Sequence, residues 1–475
     1  MKINVSSETG TLRSLIIHSP DSGIGRVAPS KAQDWLFEDI LHLETVRKKE
    51  YDYYVKLLMY FLDPGKIKGR ISDIDSPAND REFFKPSKPG FHSSDKVIEM
   101  ERLLSEILED EMICLKLTSA VCAIEGCSYA LQTQLSKTPA SELARVFISG
   151  TLNSEEMIFP PIPNLIFTRD IGIVINDHIL LNKPAKKARA RETLLARYIF
   201  FNHPIFSEYR NKILEIPDTV KYFLRPGDDP GERTTIEGGD VMVVSKDHIL
   251  IGCSERTSSS GANEAIKLLF ERGIAEKVTV IKIPPKRDYM HIDTLFTQVS
   301  RNTWVVFAPV ATLQPYKGKE AIDYLSEKRN KEKPEILQFR KDRLDKPETF
   351  PCLEALLKDI SENDLNSGEE TRFIYSGNNE FPFDAREQWT DSCNVLALKE
   401  GVVLGYDRND KTIEAFRLNG FSIIHAGELL NGLEEGKINI QTINKTLILM
   451  PSAELSRARG GFHCMSMPLH RDEND

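Results

Sequence analysis

Residues 240–252 read DVMVVSKDHILIG, and residues 170–182 read DIGIVINDHILLN. Both open on Asp, run through an apolar strand, turn at a polar pair, and return as a second apolar strand. The tetrapeptide DHIL stands at the same place in each, at 177–180 and 247–250. Residues 391–405, DSCNVLALKEGVVLG, follow the same plan. Short β-branched runs broken by Asn-Asp, Lys-Asp or Lys-Glu-Gly are hairpin signals. Weaker copies stand at 11–20 (TLRSLIIHSP) and at 291–309 (HIDTLFTQVSRNTWVVFAP). Self-similar units spread along a chain point to a repeat architecture.

Helical stretches lie between the hairpins. Residues 31–62 carry a long amphipathic pattern that stops before Pro64-Gly65; residues 259–273 and 410–420 end at Gly273 and Gly420. Ser, Asn or Asp at the start and Gly at the end are helix punctuation. Hairpins alternating with helices about five times predict a closed α/β repeat. Two segments interrupt it. In 66–150, Val97, Met100, Leu104, Ile107 and Leu108 fall on one helical face, and 138–150 reads as a further helix with a Gly stop, so this segment is expected to be a helical insertion. Residues 313–372 are dense in Lys, Glu and Asp and read as a partly helical surface excursion.

The chain has 475 residues, is 40% hydrophobic and carries a net charge of −9. That balance supplies no basic face for nucleic acid or an anionic membrane. No apolar run reaches membrane-span length, and MKINVSSETGTLRSL has no signal-type apolar stretch. The seven cysteines are scattered, without a C-x-x-C pair. That usage suits a reducing compartment, and a cytoplasmic protein is expected.

Four segments are out of keeping with mere packing: PNLIFTRD (163–170), EGGD (237–240), His291-Ile292-Asp293, and ARGGFHCMSM (458–467). In the second, two glycines between carboxylates allow close backbone approach. In the third, residues two apart on a strand face one side, so the imidazole and the carboxylate should point together. Taken singly, each has a bland reading: Cys464 as a small buried hydrophobe, His291 as a satisfied core histidine, EGGD as a turn. Together they abut repeated strand units, and a closed ring would bring them to one axis. A cysteine, a histidine and several carboxylates without a metal spacing fit nucleophilic catalysis. The excess of carboxylates calls for a cationic substrate. A planar guanidinium offers a fork of N–H donors that carboxylates grip bidentately. A bound cation also lowers the pKa of a neighbouring thiol.

The ordered strings SETGTLRSLIIHSP (7–20), LFEDILHLE (36–44), NLIFTRD (164–170), KARARETLL (187–195), IEGGDVMVV (236–244), GCSERTS (252–258), MHIDTLFT (290–297), CNVLALKEGVVLGYDRN (393–409) and RGGFHCMSMPL (459–469) together resemble the arginine deiminase family. That family belongs to the amidinotransferase-related, pentein superfamily. The resemblance implies an α/β fold: a five-bladed α/β propeller of ββαβ repeats, one catalytic domain over 1–475, with an inserted helical subdomain. It implies hydrolysis of arginine to citrulline and ammonia, with no cofactor and no metal. Cys464 matches the nucleophile and His291 the general acid/base. Asp170 and Asp293 match the guanidinium-binding carboxylates, and Glu237 the acid behind the histidine. Arg256 and Arg459 match the α-carboxylate receptors. Asn164, Phe167 and Asp240 match further pocket positions, and either Arg189 or Arg191 matches another. Family analogy also implies a homodimer or larger homo-oligomer. Ala458 departs from the glycine expected before Arg459, which keeps a modified or N-substituted arginine open as substrate. An amidinotransferase using the same Cys and His is the nearest alternative, and a non-catalytic pentein binding protein the remote one.

Overall fold

The computed structural model describes residues 1–37, 39–153, 156–220, 225, 233–312 and 333–473. Its strands form five units of one plan. In each, an antiparallel hairpin is followed by a helix and by a third strand parallel to the hairpin's second. The units with the hairpins Gly172–Ile175/His178–Leu181 and Val241–Ser245/His248–Cys253 take Ile213–Leu214 and Lys277–Lys282 as third strands. Phe296–Ser300/Thr303–Val306 is completed by Arg372–Tyr375, and Leu396–Lys399/Val402–Tyr406 by Thr446–Met450. The intervening helices are Ala190–Asn202, Ser259–Glu271, Leu353–Asp359 and Asp410–Leu418.

The fifth unit joins the two ends of the sequence. Leu12–Ile17 pairs antiparallel with Met467–Arg471 and parallel with Val97–Glu99, with helix Asp52–Leu62 between the first and third strands. The copy at 11–20 is therefore one strand of a hairpin whose partner lies at the far end of the chain.

The strands read as continuous apolar runs because both faces are buried. Val241, Val243, Ile249 and Ile251 pack with Ile173, Ile175 and Leu180 of the preceding unit. Met242, Val244 and Leu250, on the opposite face, pack with Phe296, Val305, Val395 and Leu447 of the following two. Leu396, Leu404 and Ile448 then meet Leu12, Leu15 and Ile17. Ile16, Met467 and Leu469 meet Val174 and Ile179, back at the first unit.

Several boundaries differ from the sequence reading. Within 31–62 the α-helix runs over Asp52–Leu62; Thr45–Tyr51 precedes it as a π-helix, and Leu36 takes a left-handed backbone at φ 59°. Residues 97–99, placed on a helical face by periodicity, are a strand: Leu15, Ile16 and Ile17 pair with them. The helix starts at Met100, where the Glu99 carboxylate accepts the N–H of Glu101. The helices of the 66–150 segment are led by Met100–Ile107, Glu111–Glu125 and Ala140–Ser149. Within 313–372, residues 313–332 lie outside the described residues. The remainder is more than a surface excursion. Glu335–Arg340 adds to the edge of Lys277–Lys282, and Leu353, Leu356, Leu357 and Ile360 are buried. His248, held by Thr279 at 2.7 Å, anchors the segment through Asp364 at 2.6 Å. Its charged residues hid a short apolar helix and two strands whose partners are remote in sequence.

Candidate active site

Three of the hairpins are entered through the same device, a 3-10 turn just before the first strand. These turns are Thr168–Asp170, Gly238–Asp240 and Ile292–Thr294. His291 and Asp293 therefore reach the site by way of a turn and not along one strand face. Gly238 and Gly239 make the approach of these turns possible. A Cβ at Gly238 would lie 2.0 Å from the Arg169 carbonyl oxygen, and one at Gly239 would lie 2.4 Å from His291 Nδ1.

A small cavity of about 30 Å³ lies between these turns and the Cys464 loop. Its walls hold Asn164, Phe167, Asp170, Arg189, Arg256, His291, Arg459 and Cys464 from the predicted set, together with Leu36, Asp391 and Ala458. A larger, shallower groove of about 530 Å³, beside Thr45, Lys49, Asp407 and Pro451, contains none of the predicted residues. Chemistry, not size, therefore selects the smaller cavity.

Cys464 is buried, and its Sγ lies 3.5 Å from Asp293 Oδ2. His463 Nδ1 lies 2.9 Å from the same oxygen. Asp293 Oδ1 is buried and, among the described residues, has no hydrogen-bond partner. Burial opposes the charge on Asp293, but the His463 hydrogen bond and nearby cations hold its pKa below the ordinary value. Burial, then Asp293, Asp170 and Asp391, push the Cys464 thiol well above its ordinary value. The sulfur thus stays protonated until something positive offsets these charges.

His291 faces the cavity from the other side, with Nε2 3.0 Å from Glu237 Oε2. Burial works against the imidazolium, yet Asp170, the Glu237 hydrogen bond and Asp240 outweigh it and raise His291 to about 10. For Glu237 burial is likewise outweighed, by His291 and then Arg189, which lower it to about 2. The pair is ionised at neutral pH.

Arg189 Nη1 donates to Asp170 at 2.7 Å, and its Nε donates to Glu192 at 2.8 Å. Gly239 N–H donates to the other Asp170 oxygen at 3.3 Å. Arg191 points elsewhere, donating to Glu125 at 2.6 Å and to the Phe147 carbonyl at 2.9 Å, so Arg189 is the one at the cavity. Arg256 Nη1 lies 4.0 Å from Glu237 Oε1. Arg459 has φ 62° and stacks on Trp389, its guanidinium carbon 3.3 Å from the ring centroid. Asn164 Nδ2 donates to the Trp35 carbonyl at 2.8 Å.

Asp240 does not line the cavity. Its oxygens accept from Ile292 N–H at 3.0 Å and Ser254 Oγ at 2.6 Å, which ties the His291 turn to the loop bearing Arg256. Burial raises it to about 6. Asp170, Glu237 and His291 offer donor atoms within 4.8 Å of one another, close enough for a metal ion. Those atoms are already engaged with Arg189, Gly239 and each other, an arrangement suited to moving protons.

Sequence reasoning missed three contributors. Glu8 is buried, bonds Arg169 Nη2 at 2.9 Å, and accepts Val243 N–H at 3.1 Å. Asp391 lines the cavity, and burial raises it to about 7. Asn394 contacts both the Cys464 and Asp293 segments. Each lies inside or beside a family-like string, but none has a local pattern that marks it.

On an α/β scaffold the site thus sets a cysteine against a carboxylate, an ionised His–Glu pair opposite, and arginines around the remainder. The family profile described as "Arginine deiminase" matches residues 94–471. The chain belongs to the arginine deiminase family. An arginine deiminase of Borrelia garinii subsp. bavariensis is 29% identical over 476 residues, covering 99% of this chain and 98% of its own. One from Borreliella burgdorferi (strain ZS7) is 29% identical over 479 residues, with the same coverage. Among solved structures, an amidinotransferase of saxitoxin biosynthesis from Microseira wollei is 14% identical, covers 99% of this chain and 98% of its own, and has a TM-score of 0.45.

Proposed function

We propose that this protein hydrolyses the guanidinium of L-arginine to L-citrulline and ammonia through a covalent intermediate on Cys464. The observation that carries the reading is the placement of Cys464 Sγ 3.5 Å from Asp293, whose second oxygen is a buried acceptor without a partner among the described residues. A guanidinium N–H satisfies that oxygen and sets its carbon against the sulfur. Asp170 grips the other side of the planar cation. Arg256 and Arg459 receive the α-carboxylate, with Arg189, Asn164 and Phe167 completing the pocket.

The chemistry follows from the charges. The bound cation offsets Asp170, Asp293 and Asp391, so the thiol releases its proton to solvent and the thiolate adds to the guanidinium carbon. His291 enters protonated and gives its proton to the departing ammonia. This leaves an S-linked amidino group on Cys464. The now neutral His291 takes a proton from water, which attacks the same carbon; the C–S bond breaks, citrulline leaves and the thiol is restored. Glu237 supports His291 in both steps. Splitting the reaction replaces one hard step by two easier ones.

The wider reading is a five-bladed propeller of the pentein type, supported by apolar clusters shared between consecutive units. No helix among the described residues is long and apolar enough to cross a membrane. A cytoplasmic homo-oligomer belongs to the same reading; the exposed Met112 and Leu115, neighbours on helix Glu111–Glu125, are apolar residues that a second copy would cover. Sedimentation velocity showing only monomer at high concentration would count against assembly.

The test of activity is incubation with arginine and no added amine, followed by measurement of citrulline and ammonia and by mass spectrometry of acid-quenched enzyme. Citrulline with an adduct on Cys464 is expected. Product formed only when an amine is supplied would assign an amidinotransferase instead. Buried Ala458 in the cavity wall favours one second reading, a hydrolase for a modified arginine. A competition panel of arginine, agmatine and methylarginines separates the two.

A further inference from the structure

Cys464 and Asp293 must meet the same substrate, yet they come from segments 171 residues apart. A third segment joins them. Asn394 is buried, just before strand Leu396–Lys399. Its Oδ1 accepts the Cys464 N–H at 3.0 Å, and its Nδ2 donates to the Asp293 carbonyl at 3.1 Å. Its own carbonyl accepts the His463 N–H at 3.5 Å. An N–H only donates and a carbonyl only accepts, so these two partners fix the amide's orientation. No other side chain of this length offers a donor and an acceptor in one plane. The nucleophile loop is fitted closely to this residue: a Cβ at Gly461 would lie 2.4 Å from the Asn394 carbonyl and 2.7 Å from its Oδ1. Asp391, three residues earlier, has its charged form stabilised by the Gly460 N–H, and Tyr406 donates to the Gly460 carbonyl at 2.7 Å.

We infer that Asn394 is a positioning residue that sets the register between the Cys464 sulfur and the Asp293 carboxylate, so that one planar cation meets both. The inference rests on the reading of Cys464 as nucleophile and Asp293 as cation grip. Asn394 touches neither the sulfur nor the carboxylate; it holds the two backbones that carry them. Without it both groups persist, but their separation is no longer fixed. A misplacement of about 1 Å costs on the order of a hundredfold in rate.

The test compares the full-length protein with Asn394→Ala and Asn394→Ser, neither of which can bridge both partners. Two quantities are read: arginine turnover, and the alkylation rate of Cys464 by an amidinium reagent (2-chloroacetamidine) relative to its neutral counterpart with the same leaving group, 2-chloroacetamide. A purely structural residue would change the two alkylation rates alike. The native protein is expected to favour the amidinium reagent by about tenfold or more, since only a cation engages Asp293. In the variants that preference is expected to fall to about twofold or less, and kcat by about a hundredfold, with KM little changed. Thermal unfolding identifies the folded variant; the Ser variant serves if the Ala variant does not fold. Native preference and native kcat in a folded variant overturn the inference. A native protein with no cation preference and no turnover overturns the reading of the site, and the inference with it.

Discussion

Gly239→Ala tests whether the placement of His291, beyond its presence, sets the rate. The added Cβ would lie 2.4 Å from His291 Nδ1, 2.7 Å from Cγ and 3.0 Å from Cβ. Ordinary contact is about 3.5 Å, so the ring must retreat by about 1 Å. His291 is buried. Its Nε2 is 3.0 Å from Glu237 Oε2, and a shift of that size away from the acceptor breaks the hydrogen bond. Overpacking of this kind costs about 1–3 kcal/mol of stability. The larger effect falls on the rate, on the order of a hundredfold in kcat for a misplaced proton donor. With Glu237 lost as a partner, the His291 pKa also falls from about 10 toward its ordinary 6.5. Citrulline formation measured against pH reads both effects: a lower plateau, and an alkaline limb displaced to lower pH. A folded Gly239→Ala protein with native kcat and a native pH profile would mean that the close fit of Gly239 to His291 is irrelevant to turnover.

Cys464→Ser is expected to lower kcat by at least about 10⁴-fold while leaving the melting temperature within a few degrees, and to abolish the acid-stable adduct seen by mass spectrometry. Glu237→Gln separates by pH. Glu237 is lowered from 4.5 to about 2, so its contribution to stability is complete above pH 4.5 and is lost as pH falls through about 2. His291 is raised from 6.5 to about 10, so its contribution is complete below pH 6.5 and is lost as pH rises through about 10. The substitution should therefore cost most between pH 4.5 and 6.5, about 3–5 kcal/mol for a broken buried pair, and progressively less as pH rises from 6.5 through about 10, as measured by urea unfolding. Arg191→Ala should destabilise by about 2–3 kcal/mol with KM unchanged, because it removes charged hydrogen bonds remote from the cavity. Arg189→Lys should instead reduce kcat/KM by about tenfold or more, since an ammonium cannot span Asp170 and Glu192 as the guanidinium fork does; steady-state kinetics on both variants decides.

Much of this fold is legible in the sequence where both halves of a contact lie close together. DIGIVINDHILLN and DVMVVSKDHILIG each hold a whole hairpin, and both fold as read. TLRSLIIHSP holds only half of one, because its antiparallel partner is Met467–Arg471. Local periodicity carries no information about such a pairing, and the same blindness placed Val97–Glu99 on a helix. In the site, Arg189 and Arg191 are equivalent on paper; the structure turns one to Asp170 and the other to Glu125. Asp240 stands in the conspicuous EGGD string, yet the 3-10 turn directs it behind the cavity to the Ile292 N–H and Ser254.

What stayed hidden shares one physical character: groups that act by joining segments. Glu8 bonds Arg169 and the strand at Val243, and Asn394 joins Asp293 to Cys464. No local pattern marks them, and nothing nearby in the sequence announces partners 70 to 235 residues away. Residues expected to touch substrate were legible because several types must occur together for the chemistry. Those that hold them in register need only a buried partner, and burial across segments appears only once the chain is folded. Cys464 can thus be singled out as a candidate from the sequence, but its 3.5 Å approach to Asp293 is a property of the segments tied around it. Substitutions at Gly239, Gly461 or Asn394 should therefore impair turnover although every side chain expected to touch substrate is still present.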